Sequence, residues 1–287
     1  MVKYIAITKE KPVKTTGLKL LALAAAINLS WAGEPDFDGY SYMAIGLNNV
    51  KYNEKVTTQS GTYVDSDATT TDIYYMTGGL VRLNDRYDFS YDLASTLYPN
   101  DLDENVYIDG VHQTNKADIL LNNMTLLLHY KLNGSHRVVG GVEYQLNTFK
   151  RFDFLSSPNQ GVVEERSASL ALDCGYWYES STAAIDGMRT TVKALVGLPV
   201  WQKTTNTSLT AVNFYDKQGY NAHLSLWLNY TVLTGMEIGF GFGFDYVYRK
   251  GGGPKVAMID GTARNIYWPE NTTRTFYGAL SIVWNFR

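Results

Sequence analysis

The chain has 287 residues with a formal net charge of −3 and 18% charged residues, so nothing in its charge suggests affinity for nucleic acid. It holds 22 Tyr, 11 Phe and 25 Gly but one cysteine, Cys174, which excludes an intrachain disulfide and any site built from several cysteines.

The N-terminal stretch carries Lys9, Lys11, Lys14 and Lys19, then an apolar run over 20–29, then Ser30, Trp31 and Ala32 before Gly33. A basic region, a short apolar region and small residues around a cut make the three-part pattern of a secretory signal. The apolar run is too short for a membrane helix, which needs about 20 residues. Residues 1–32 are therefore expected to be a cleavable signal peptide, cut between Ala32 and Gly33, with the working domain in 33–287.

Beyond the signal no stretch approaches a transmembrane helix. Instead, segments with period-2 alternation recur between turn residues, the pattern of a membrane barrel. Ten are expected, at 40–52, 72–83, 87–98, 119–132, 137–149, 167–178, 188–201, 222–233, 237–249 and 275–287. The connections alternate in length. Those at 84–85, 133–135, 179–187 and 234–235 are short, whereas those at 53–71, 99–118, 150–166, 202–221 and 250–274 are long and polar. The expected fold is all-β, an antiparallel up-and-down transmembrane barrel with five long extracellular loops and short periplasmic turns.

The faces of the segments point the same way. Ile238, Phe240, Phe242 and Phe244 alternate with Gly239, Gly241 and Gly243; Leu224, Leu226 and Leu228 alternate with Ser225, Trp227 and Asn229. The apolar faces end in tyrosines, as an interfacial girdle would. The last segment puts Phe276, Leu280, Ile282, Trp284 and Phe286 on one face. Such a strand is an aggregation hazard unless the barrel closes against it.

With its signal, its ten alternating segments and the Ile282-x-Trp284-x-Phe286 pattern, the chain resembles the outer-membrane β-barrel proteins of Gram-negative bacteria. The resemblance implies a location in that membrane, at the cell surface, with lipid and lipopolysaccharide around it. It also implies that Ile282, Trp284 and Phe286 are an insertion signal read by the barrel-insertion machinery. Arg287 departs from the pattern, because the family's chains usually end on the aromatic.

Taking the polar faces as inward, the lumen is expected to hold a charge network of Asp88, Asp92, Lys131, Arg137, Glu143, Asp173, Arg189, Lys193, Glu237, Asp245 and Arg249. Both signs occur, which suits either an ion-paired plug or a narrow path for ions or small solutes. Barrels of about eight strands are filled by their own side chains, and aqueous porins need about 16–18.

No catalytic constellation is apparent. The omptin proteases are similar in strand number, and their active site uses an Asp pair and an Asp-x-His pair near the extracellular rim. Here none of His112, His129, His136 and His223 stands in an Asp-x-His arrangement. His223 and Ser225 share a face, the only hint of an acyl hydrolase. Asp65, Asp67, Asp101 and Asp103 lack calcium-loop spacing, so no metal and no cofactor is expected. The reading is a non-enzymatic barrel, either a structural surface protein or a narrow passive channel. The alternatives are an adhesin or receptor using loop residues Tyr63, Tyr107, Tyr215, Tyr267 and Trp268, and a rim-located hydrolase.

Overall fold

The computed structural model describes residues 39–58, 61–154, 161–180, 187–209, 212–215, 217–259 and 262–286. The expected signal segment, its cut at Ala32 and Gly33, and Arg287 lie outside them.

Ten antiparallel strands close into a barrel. In chain order they are β1 (Gly39–Thr57), β2 (Tyr63–Arg82), β3 (Tyr87–Tyr98) continued by β4 (Leu102–Ile108), β5 (Val111–Lys131), β6 (His136–Phe152), β7 (Val163–Glu179) and β8 (Met188–Asn206). A two-residue β9 (Asn213–Phe214) precedes β10 (Gly219–Leu233) and β11 (Met236–Arg249). The hairpin β12 (Gly252–Ile259) and β13 (Thr262–Trp268) stands between β11 and β14 (Glu270–Phe286). β1 pairs with β2 on one side and with β14 on the other, from Gly39 opposite Phe286 to Lys55 opposite Glu270. The terminal strand therefore has no free edge.

Short turns are built locally. Asn84 accepts hydrogen bonds from the backbone N–H groups of Arg86 and Tyr87, and Asn133 does the same for Ser135 and His136. These Asx turns reverse the chain in the space of a few residues. In the remaining tight turn, Gly235 has φ +80°, which glycine adopts without steric cost.

The barrel strands are 12–21 residues long whereas about 9–11 residues cross a bilayer, and the extra length lies on the opposite side. The expected loops 53–71, 99–118 and 250–274 are largely sheet: β2 begins at Tyr63, β5 at Val111, and β4 and the β12–β13 hairpin lie within them. Outside lipid neither face must be apolar, so the alternation fades while Thr69, Thr70 and Thr71 still favour extended backbone. The β3–β4 interruption falls at Pro99, which cannot donate to a ladder. Asp72 bridges the gap, accepting from the Asn100 N–H at 2.8 Å and from the Thr70 hydroxyl at 2.9 Å.

The lipid-facing belt is exposed and apolar: Met43, Ile45 and Leu47 on β1, Leu224, Leu226 and Leu228 on β10, Ile238, Phe240 and Phe242 on β11, and Leu280, Ile282 and Trp284 on β14. Tyr87, Tyr130, Tyr176 and Tyr230 rim it near the turns, and Tyr220 stacks on Tyr246 toward the loops. Such a surface belongs in a bilayer. Inward, Gly239, Gly241 and Gly243 of β11 leave room for Asn229, Trp227 and Tyr277; a Cβ on Gly241 would stand 2.4 Å from the Trp227 ring.

Gly241→Val is expected to overpack the lumen and destabilise the barrel by about 1–3 kcal/mol. A lowered urea midpoint with retained heat-modifiable migration on gels checks this.

Candidate functional site: the charged lumen

The inward face of each strand supplies polar groups at stacked levels. Nearest the turns, one chain of ion pairs links six strands. The Asp88 carboxylate meets Lys131 at 2.8 Å and Arg137 at 2.7 Å. Arg137 reaches Glu179 at 3.4 Å, Arg189 reaches Glu179 at 3.1 Å, and Arg189 then meets Glu237 at 2.7 Å. Asn285 of β14 donates to the other oxygen of Glu237 at 2.8 Å. The Arg189 guanidinium also lies 4.1 Å from the centre of the Tyr40 ring. Asp88, Arg137, Glu179, Arg189 and Glu237 are all buried. Leu80, Leu127, Val139, Trp177, Leu195 and Val283 pack with Tyr40 against this layer.

Above it, Lys193 of β8 reaches across to Asp92 of β3 at 2.7 Å, and the Tyr42 hydroxyl donates to the same carboxylate at 2.7 Å. A third level centres on His223, whose Nδ1 lies 2.9 Å from Asp245 and whose Nε2 lies 3.2 Å from Glu143. Gln145 donates to Glu143 at 3.0 Å, and Asn123 and Asn221 donate to it as well.

All the charges expected in the lumen lie inside the barrel, but two of them make no ion pair among the described residues. Arg249 is held by neutral oxygens: Asn221 at 2.7 Å, the Tyr248 carbonyl at 2.9 Å, and Gln145 at 3.3 Å. Asp173 is buried with neither oxygen hydrogen-bonded among the described residues, set between Gly141 and Gly197 in register.

A further level lies beyond the belt, where the outward neighbours are Lys150 and Arg166. Arg151 is surrounded by Glu104 at 2.8 Å, Glu54 at 3.0 Å and Glu165 at 3.4 Å, and Ser66 donates to Glu104 at 2.5 Å. Val50, Tyr52, Ile119 and Phe149 pack beside it as an apolar layer. Glu165 is pushed up to about 8 by burial and by the Glu54 carboxylate. Glu104, despite burial, is lowered by the Arg151 guanidinium.

Sequence reading placed Glu179 in a turn, and the Arg151 cluster in or beside loops. Strand parity was the available signal: Glu179 and Glu165 share the parity of Asp173, and Glu54 that of Tyr52. The His223 side chain is 9% exposed, with both nitrogens engaged by carboxylates. His129 contacts Ser90 at 2.7 Å, but both are fully enclosed in the lumen. His112 bonds Asn105, and His136 bonds Tyr176. Among the described residues no group of three or more His, Cys, Asp or Glu side chains could hold a metal.

Two predictions follow from these pairings. Arg189→Ala leaves Glu179 with Arg137 alone and Glu237 with no cation, and is expected to cost about 3–5 kcal/mol. Arg249→Ala strands no paired carboxylate, only amide and carbonyl oxygens, and is expected to cost about 1–3 kcal/mol. Chemical unfolding in detergent measures both. For the outer cluster, a carboxyl whose folded value is raised contributes stability that is complete at acid pH and lost as pH rises through the folded value. Glu104, with a lowered value, contributes on the opposite limb and is lost as pH falls. The thermal midpoint is therefore expected to decline between the ordinary glutamate value of 4.5 and about 8, and Glu165→Gln is expected to flatten that decline.

No protein-family model and no curated protein sequence matches the chain. Among solved structures it is similar to the outer membrane protease OmpT from Escherichia coli, with a TM-score of 0.62 and 10% identity over 88% of this chain and 97% of that one. The transport unit of the autotransporter AIDA-I from Escherichia coli aligns over 97% of this chain and 100% of that one at 9% identity, with a TM-score of only 0.40. The outer membrane protein OprG from Pseudomonas aeruginosa aligns at 12% identity over 87% and 96%, with a TM-score of 0.34. At these identities the likeness concerns the fold. The chain has the fold of the Gram-negative outer-membrane β-barrels, and its apolar belt suits a bilayer.

Proposed function

We propose that the protein is a closed, non-conducting and non-enzymatic barrel, a rigid surface protein whose working part is the sheet and hairpins beyond the outer leaflet. The supporting observation is the filled lumen. Asp92–Lys193 and Glu143–His223 tie together strands that are not neighbours. The cavities left between these layers measure about 30–40 Å³. At roughly 10–15 Å³ per water such spaces hold only a few waters each, which disfavours passage of a hydrated ion or solute. The ion-paired plug is thus favoured over the narrow channel.

The extracellular part supports an adhesive or receptor role. Tyr63, Tyr107, Val111 and Tyr215 are exposed there, as are Val256 and Met258 on the β12–β13 hairpin. Trp268, expected on that surface, is instead buried against Phe214 with Val212 and Ala257 in a small core that supports the hairpin. Partners in assembly remain those implied by the terminal strand: Ile282, Trp284 and Phe286 are proposed as the stretch read by the insertion machinery.

The hydrolase alternative draws on the likeness to a protease and on the His223–Asp245 contact. It is disfavoured because both His223 nitrogens are taken, and the Val50–Phe149 layer lies between that level and the extracellular cluster.

Conductance of the purified barrel in a planar bilayer tests the proposal. No steps above the bare membrane are expected, together with no cleavage of a mixed peptide library. Stable unitary conductance would restore the channel reading, and cleavage lost in His223→Gln would restore the hydrolase.

A further inference from the structure

Three cavities follow one another along the interior. The lowest, about 40 Å³, lies between Arg189, Asn229 and Asp92. The middle one, about 30 Å³, shares Met76, Asp92, Lys193 and Ser225 with it. The uppermost, about 40 Å³, shares Tyr74, Asn123, His223 and Asp245 with the middle one and extends to Asn48, Asn147 and Thr273. Consecutive cavities thus have common walls, and those walls carry Asp92, Lys193, Asn123, His223 and Asp245 among apolar neighbours.

The uppermost cavity carries an independent observation. Asn48 is 0% exposed and lines it, yet neither its amide nitrogen nor its amide oxygen has a hydrogen-bond partner among the described residues. A buried amide left wholly unpaired carries its full desolvation cost, and native proteins avoid that cost. Asp245 adds a second mark. Its side chain keeps 24% of its surface open although it points into the barrel, so the open part faces a cavity. Each cavity exceeds the roughly 10–15 Å³ that one water requires, and each offers several donors and acceptors.

We propose that the three cavities are one water-binding column, a short file of hydrogen-bonded waters that runs from Arg189 to Thr273 and satisfies Asn48 on the way. The file links the His223 level to the Asp92–Lys193 pair by hydrogen bonds that no side chain makes directly. Tyr52 and Phe149, with ring centres 4.1 Å apart, pack beyond its upper end, and the Arg189–Tyr40 contact closes the lower. The column stands apart from the surface-protein reading: a conducting wild-type barrel would overturn that reading without emptying these cavities.

Asn48→Leu decides the matter by sign. If waters bind Asn48, the apolar replacement breaks their hydrogen bonds, and the urea midpoint of the heat-modifiable barrel is expected to fall. If the cavity is dry, the same change removes two orphan polar atoms at nearly constant shape, and the midpoint holds or rises, which would overturn the column. Should the variant not assemble, a crystallographic map of the unaltered protein at about 2 Å carries the same decision. Ordered waters on Asn48 and Asn123 are expected, and featureless cavities would refute the proposal.

Discussion

The pairing of β1 with β14 is the constraint on which the rest of this structure depends. In lipid each unpaired backbone N–H or C=O costs several kcal/mol, roughly, so a sheet can cross a membrane only if its edges meet. Seventeen register positions, Gly39–Phe286 to Lys55–Glu270, join the two edges. Once the ring is closed, alternation leaves each residue one of two destinations. The belt of Ile, Leu and Phe goes to lipid, and everything of opposite parity must share the lumen.

That second destination sets the chemistry. A ten-stranded lumen is wide enough to take long charged side chains and too narrow to hydrate them all, so most of them are matched there. Arg137 and Arg189 each bridge two carboxylates, and Lys193 spans to the far wall. Glycines on β11 make space for Trp227 and Tyr277 rather than for solvent. On the function proposed above, the same interior that holds the wall rigid also closes it, and leaves the extracellular sheet as the part free to meet other molecules.

Much of this was legible from parity alone. The strand at 87–98 was found with its bounds, and Ile282 and Trp284 were set toward lipid, because one wet face and one oily face write a period of two. The extensions from Tyr63 and Val111 were read as loops because above the bilayer that contrast disappears. β4 was hidden by Pro99, whose gap is bridged by Asp72 from another strand. Pairing partners were beyond reach for a different reason. Whether Arg249 meets a carboxylate or Asn221 depends on the stagger between strands β6, β10 and β11, which alternation does not fix. Trp268 was expected at the surface because nothing local announces the Phe214 that covers it.

The central claim is that cross-lumen charge pairs hold the barrel shut. A double-mutant cycle on Arg189 and Glu237, read by reversible unfolding in detergent, tests it most directly. A coupling energy of about 1–3 kcal/mol is expected for a buried pair in contact. Additivity within about 0.3–0.5 kcal/mol would mean that the two charges are independently solvated, and would contradict the account of a closed lumen.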